Sequence, residues 1–193
     1  MTAQDDEGGG KQKAILKAAF TCFSQYGFRR TSMEDIAAAA GMSRPALYLH
    51  FRNKTDIFRS LVQVYYDDAI RMVAQALSEP APPEAVLQNA FRAQSGQIGE
   101  ALLTSPHGAE LLDTGNATSA DIVAAGEARL AGLYANWLRQ QARSGLIAPL
   151  PDTHGTARLF MAALKGIKTP PYADYIASVE QLARLFGRGL RPS

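Results

Sequence analysis

The sequence predicts an all-α chain, with a small N-terminal unit of three helices followed by a larger helical body. Three observations carry this. Apolar residues recur at spacings of three and four along most of the chain, and no segment alternates convincingly with the two-residue period of a half-buried strand. Most prolines fall between the periodic segments, at 80–83, 106, 149–151 and 170–171. The stretch from Thr31 to Phe58 carries helix-start and helix-stop residues where two short helices and a tight turn need them.

The elements follow in order. Lys11 to Tyr26 places Ile15, Leu16, Ala19, Phe20 and Phe23 on one face and ends at Gly27. The second helix starts at Thr31, with Glu34 three residues on as a capping box, and turns Met33, Ile36, Ala37 and Ala40 to one side. Gly41 follows, where a helix stop needs a positive φ that glycine adopts at least cost. Ser43 is placed to cap a third helix, and Pro45 sits in its first turn, where a missing N–H is harmless. Leu47 and Phe51 turn inward, which leaves Arg44, Ala46, Tyr48 and His50 on the other faces. Asn53 and Asp56 open a long helix to about Leu77 that is apolar on more than one side, so it is expected to lie between the small unit and the body. Helices are expected next at about 84–103, 108–114, 119–144, 153–168 and 172–189. The division is then a disordered tail over 1–10, with Asp5, Asp6, Glu7 and three glycines, a three-helix unit over 11–55, and a body over 56–193.

A helix, a glycine turn and a second helix carrying Arg, Tyr and His outward make a helix-turn-helix, whose second helix enters the DNA major groove. Charge agrees with this. Lys11 to Ser60 holds nine basic residues against three acidic, a net +6, whereas Leu61 onward holds eleven against twelve, a net −1. Positive charge gathered on the helix-turn-helix is the footprint of a polyanion binder. Arg44 is placed for a base edge or a phosphate, and Tyr48 for a thymine methyl and a phosphate, or for packing. Thr31, Ser43 and Lys54 are placed to hold the phosphate backbone, through helix N-termini and one flexible cation.

The spacing Ile36-Ala37, Gly41, Ser43, Ala46-Leu47-Tyr48, His50-Phe51, Lys54, Ile57-Phe58 resembles the DNA-binding domain of the tetracycline-repressor (TetR) family. Upstream, Ala18, Phe20, Phe23, Tyr26-Gly27-Phe28 and Thr31-Ser32 fit the same pattern. The resemblance covers roughly residues 11–60, a dozen positions in register. It implies a DNA-facing set of Thr31, Ser32, Ser43, Arg44, Pro45, Ala46, Tyr48, His50 and Lys54. Within that set His50 resembles the family's phosphate-contacting histidine, and Ala46 has only an apolar contact to offer.

Other classes find little support. His50, His107 and His154 are isolated, and Cys22 stands alone on the apolar face of the first helix as a small buried hydrophobe. Ser95-Gly96 and Ser144-Gly145 follow no strand, and the Gly8–Gly10 run lacks the Lys-Ser/Thr of a phosphate loop. The expectation is no enzyme, no cofactor and no metal. Apolar runs are only a few residues long, so neither a membrane span nor a signal peptide is expected, and the compartment is expected to be cytoplasmic.

The last two helices are strongly amphipathic. Leu159, Ala163 and Ile167 on one, with Ile176, Val179, Leu182, Ala183 and Phe186 on the other, could pack inside one subunit or against a second copy. The resemblance implies the second, a homodimer. Polar residues set into apolar stripes mark a candidate effector pocket: Gln94 beside Phe91, and Glu127 near Tyr134 and Trp137. The expected function is a ligand-responsive repressor, binding a pseudo-palindromic operator and released by a small molecule. The alternative is a constitutive DNA-binding or protein-interaction module without an effector.

Overall fold

The computed structural model describes residues 3–169 and 171–192, with side chains described from Gly10 onward, Gln97 excepted. It is all-helical, with no strand among the described residues. The order is α1 (Ala3–Tyr26), α2 (Met33–Ala39), α3 (Arg44–Tyr48), α4 (Lys54–Leu77), α5 (Pro83–Thr104), α6 (Gly108–Thr118), α7 (Ala120–Arg143), α8 (Thr153–Gly166) and α9 (Tyr172–Gly189). None of these helices is long and apolar enough to cross a membrane.

One expectation changes at the N-terminus. Residues 3–10, read as a disordered tail, continue α1 instead, while Met1 and Thr2 lie outside the described residues. Extending an existing helix adds a hydrogen bond per residue without a new nucleus. That carries the backbone through three glycines, each costing roughly 1 kcal/mol relative to alanine.

The chain forms two compact units, residues 1–64 with 105–123 and residues 65–104 with 124–193. The first is larger than the 11–55 segment, because α6 packs into it. The Oε1 of Glu110 accepts from the Arg29 N–H at 3.0 Å, and the Ser105 hydroxyl donates to the Ser24 carbonyl at 2.7 Å. Its core holds Ile15, Ala19, Phe23, Ile36, Leu47 and Ile57, all fully buried. Phe23, Phe28 and Phe58 close it as a ring trio with centroids 5.2 to 5.6 Å apart. Cys22 is buried as expected, and burial pushes its thiol pKa up. Within this unit Arg59 of α4 holds the start of α7, with a two-pronged bond to the Asp121 carboxylate at 2.7 and 2.8 Å.

The second unit packs α5 against α9, with α7, α8 and the end of α4 completing its core. Phe91, Tyr134, Phe160 and Phe186 stack edge-on or tilted at its centre, at 4.6 to 6.3 Å. Gly187 lets α9 approach α5 closely: a Cβ there would stand 3.0 Å from the Glu84 Cα.

Candidate nucleic-acid interface

The helix-turn-helix is built from its caps. α2 begins one residue later than expected. Ser32, not Thr31, is its N-cap, accepting from the Asp35 N–H at 3.2 Å while the Asp35 carboxylate accepts from the Ser32 N–H at 2.8 Å. This reciprocal pair holds the Asp35 carboxyl below its ordinary pKa, chiefly through the Ser32 hydroxyl. The turn closes at Gly41, whose φ of 67° is the left-handed conformation expected there. Ser43 caps α3 by accepting from the Ala46 N–H at 3.3 Å, and Pro45 lies in the first turn. α3 lasts only five residues, so His50 stands in the turn beyond it, with its N–H donating to the Leu47 carbonyl at 3.0 Å.

Inward packing sets what faces out. Leu47 and Phe51 are buried, and Ser43, Arg44, Pro45, Tyr48 and His50 are exposed, with Ala46 half-buried. Arg44 lies along Tyr48, its guanidinium 5.7 Å from the ring centroid and 3.5 Å from the hydroxyl. The Tyr48 hydroxyl is the main cause of the raised Arg44 pKa, so the group is firmly a cation. A loose contact to Glu34 at 3.9 Å leaves Arg44 otherwise open to solvent.

Two residues expected on the phosphate backbone are turned inward. Thr31 is 2% exposed, and its hydroxyl donates to the Gly27 carbonyl at 2.7 Å. Its place before the capped residue puts the side chain against the end of α1, where burial demands an internal partner. The Lys54 ammonium donates to the carbonyls of Phe28, Thr31 and Arg29 at 2.8, 2.9 and 3.2 Å, and stands 4.7 Å over the Phe28 ring. All three of its protons are spent on the loop joining α1 to α2. Lys54 is therefore a clasp within the head. A sequence shows a lysine at a helix start but not the carbonyls that surround it.

Leu49 was missed. It is 85% exposed, immediately beyond α3. The signal was present: an apolar residue two positions from both Leu47 and Phe51, which turn inward, has to face out.

In the second unit the structure brings together only some of the expected pocket. The Tyr134 hydroxyl donates to the Gln94 Oε1 at 3.0 Å, and the Phe91 ring lies 5.7 Å from Tyr134. Trp137 is buried in the same core. Glu127 faces outward instead and pairs with Lys165 at 3.0 Å, because a lone carboxylate avoids an aromatic core. Tyr65, Ser95, Lys168 and Tyr175 join Gln94 and were not foreseen, since they come from four separate helices or their ends. The Tyr65 hydroxyl donates to the Gln94 carbonyl at 3.3 Å, and Lys168 donates to that hydroxyl at 3.0 Å. Burial pushes the Tyr175 pKa up to about 12 and raises Tyr66 and Tyr134 as well, so all three are neutral donors.

The residues expected at a dimer interface also divide. Val179 and Ala183 are buried in their own unit's core, and Ile167, Ile176, Leu182 and Phe186 pack against it. A wide apolar face on α9 is what packing on α5 requires, and sequence periodicity does not say which neighbour fills it. Leu159 is 62% exposed on α8, Ala163 is half-buried, and Leu185 of α9, not foreseen, is 58% exposed.

Comparisons with known proteins agree with this geometry. The family described as bacterial regulatory proteins, tetR family, matches residues 15–61. The transcriptional repressor KstR2 of Rhodococcus jostii is 33% identical over 46% of this chain and 47% of its own. The transcriptional repressor ComR of Escherichia coli is 29% identical over 92% of this chain and 86% of its own. The chain spans 30% to 47% of the length of the other leading curated relatives it matches. The crystal structure of a transcriptional regulator from Cytophaga hutchinsonii shares the fold, with a TM-score of 0.78 at 18% identity over 95% of this chain and 100% of that one. The helix-turn-helix built and capped as above is thus the part of the chain that matches the tetR family of bacterial regulatory proteins, and the all-helical remainder shares the fold of the solved regulator.

Proposed function

We propose that this chain is a ligand-responsive repressor that binds a pseudo-palindromic operator as a homodimer and releases it when a small molecule occupies the helical body. The carrying observation is the outward segment from Ser43 to His50. It presents Arg44, Tyr48, Leu49 and His50 to solvent over the buried Leu47 and Phe51. The surrounding Lys11–Ser60 segment has a net charge of +6. Thr31 and Lys54 stiffen this head from inside, and the exposed N-caps Ser32 and Ser43 stand ready for phosphates.

In a dimer, two such segments enter major grooves roughly 34–36 Å apart, or a multiple of that distance. The outer faces of α8 and α9 are the proposed interface, with Leu159 and Leu185 as its large apolar members and Ala162 and Ala177 exposed among them. Because α4 runs as one helix from the first unit into the second, it is the proposed lever between effector and head. An effector can shift head spacing only by its differential affinity for the two states.

Selection of duplexes from a random pool by the full chain tests the DNA reading. Enriched sequences with dyad symmetry, bound by two chains in sedimentation, are the expected result. Enrichment without symmetry, or one chain per duplex, would remove the homodimeric operator.

A further inference from the structure

We propose that the body holds its effector by an acid group, with the Lys168 ammonium as the counter-ion and the Ser95 hydroxyl as a hydrogen-bond donor beside it. This rests on the effector reading above and names the chemistry of that ligand: a small organic monoanion, in the first place a carboxylate with an apolar body.

The site lies at a break in α5. Gly96 has φ 56° and ψ −168°, outside the helical range, so the helix is interrupted there. A break of this kind frees backbone groups from the helical ladder, and the Gln94 carbonyl just before it accepts from the Tyr65 hydroxyl at 3.3 Å. Lys168, beyond the end of α8, donates to that same hydroxyl at 3.0 Å and stands 4.9 Å over the Tyr65 ring. Gly99 forms the floor. A Cβ there would collide with the Ser95 Oγ and lie 3.9 Å from the Lys168 Nζ, so ammonium and hydroxyl converge over one bare glycine.

Two of these groups have capacity left over. Ser95 is 3% exposed, and its hydroxyl, although beside that of Tyr175, completes no hydrogen bond of normal geometry. Buried hydroxyls are ordinarily paired. Lys168 has spent one of its three protons on Tyr65, and no carboxylate of the described residues forms an ion pair with it. Nearby Lys165, by contrast, is paired with Glu127 at 3.0 Å. One half-buried cation with one neutral donor matches a single negative charge, because a dianion would keep an unmatched charge in a poorly solvated site. The adjoining Tyr134 and Phe91, the first bonded to Gln94, suit an apolar body on the same ligand.

Thermal-shift titration of the full chain with straight-chain carboxylates from acetate to decanoate, benzoate and phenylacetate, each against its primary amide, tests the site. At least one acid is expected to raise the Tm while its amide does not. Affinity for that acid is expected to fall about tenfold or more in Lys168→Met, checked for native helicity, because a charge-assisted bond is lost. Ser95→Ala is expected to weaken it less, and Lys165→Met not at all. Equal response to acid and amide, an unchanged affinity in Lys168→Met, or no response to any acid would overturn the proposal. Operator release is read separately. An acid bound through Lys168 that leaves the operator complex intact upholds the site and sinks the effector reading. A neutral compound that releases operator, where no acid binds, does the reverse.

Discussion

Lys54 and Thr31 stand 23 residues apart, and the ammonium of the first donates to the carbonyl oxygen of the second at 2.9 Å. With the parallel bonds to Phe28 and Arg29, this contact fixes the loop that leads into α2. A cation whose protons are spent on its own chain holds the shape of the helix-turn-helix from inside.

Replacing Lys54 with Met is therefore expected to destabilise the chain by about 2–3 kcal/mol, as charged hydrogen bonds to three carbonyls are lost. Urea melts measure this. The salt slope of DNA binding, measured where the variant is still folded, is expected to match the wild type. An unchanged melt with a slope lower by about one unit per subunit would make Lys54 a phosphate contact after all.

Arg44 and Leu49 have the opposite profile: both are exposed, and the contacts of Arg44 to Tyr48 and Glu34 lie at the surface. Each changed to Ala is expected to relax preference at one position of each half-site, by roughly 1–3 kcal/mol for a base-reading contact. Stability is expected to change by less than about 0.5 kcal/mol, as at other exposed sites. Binding to a panel of single-base operator variants gives the pattern. A uniform loss across all variants would assign both residues to the phosphate backbone instead.

For the proposed interface, Leu159→Glu combined with Leu185→Glu is expected to give helical monomers that bind half-sites weakly. Val179→Asp differs, because Val179 is fully buried in its own unit, and is expected to unfold that unit. Sedimentation and circular dichroism separate the two outcomes. An intact dimer in the double variant would place the interface elsewhere.

Acid is expected to loosen the first unit through Asp121. Hydrogen bonds from Arg59 lower the Asp121 pKa from 3.8 to about 2. A carboxyl whose folded pKa is depressed contributes stability that is present above the unfolded value and lost as pH falls through the folded one. Wild type is therefore expected to melt above Asp121→Asn at neutral pH, with the gap closing as pH falls from about 4 to about 2. A gap that stays constant across that window would show that Arg59 gains nothing from the charge.

Local chemistry made much of this chain readable before folding. Helix starts and stops depend on neighbouring residues, so Gly41, Ser43 and Pro45 announced the turn and α3, and three- and four-residue periodicity announced the nine helices found among the described residues. The outward placing of Arg44, Tyr48 and His50 followed from the same periodicity, whereas the exposed Leu49 among them was overlooked. Direction and partnership were another matter, because they depend on chains that meet across long sequence separations. Lys54 looked like a free cation until the carbonyls of Phe28 and Thr31 closed round it, and Glu127 looked like a pocket group until Lys165 drew it to the surface. Val179 and Ala183 had the pattern of an interface, yet α5 was the surface they met. Ser95 and Lys168 share no local signal at all; a bare Gly99 at the foot of a broken helix is what brings them to one point. Burial and charge compensation are properties of the assembled chain, and they arise only when segments far apart in sequence pack together.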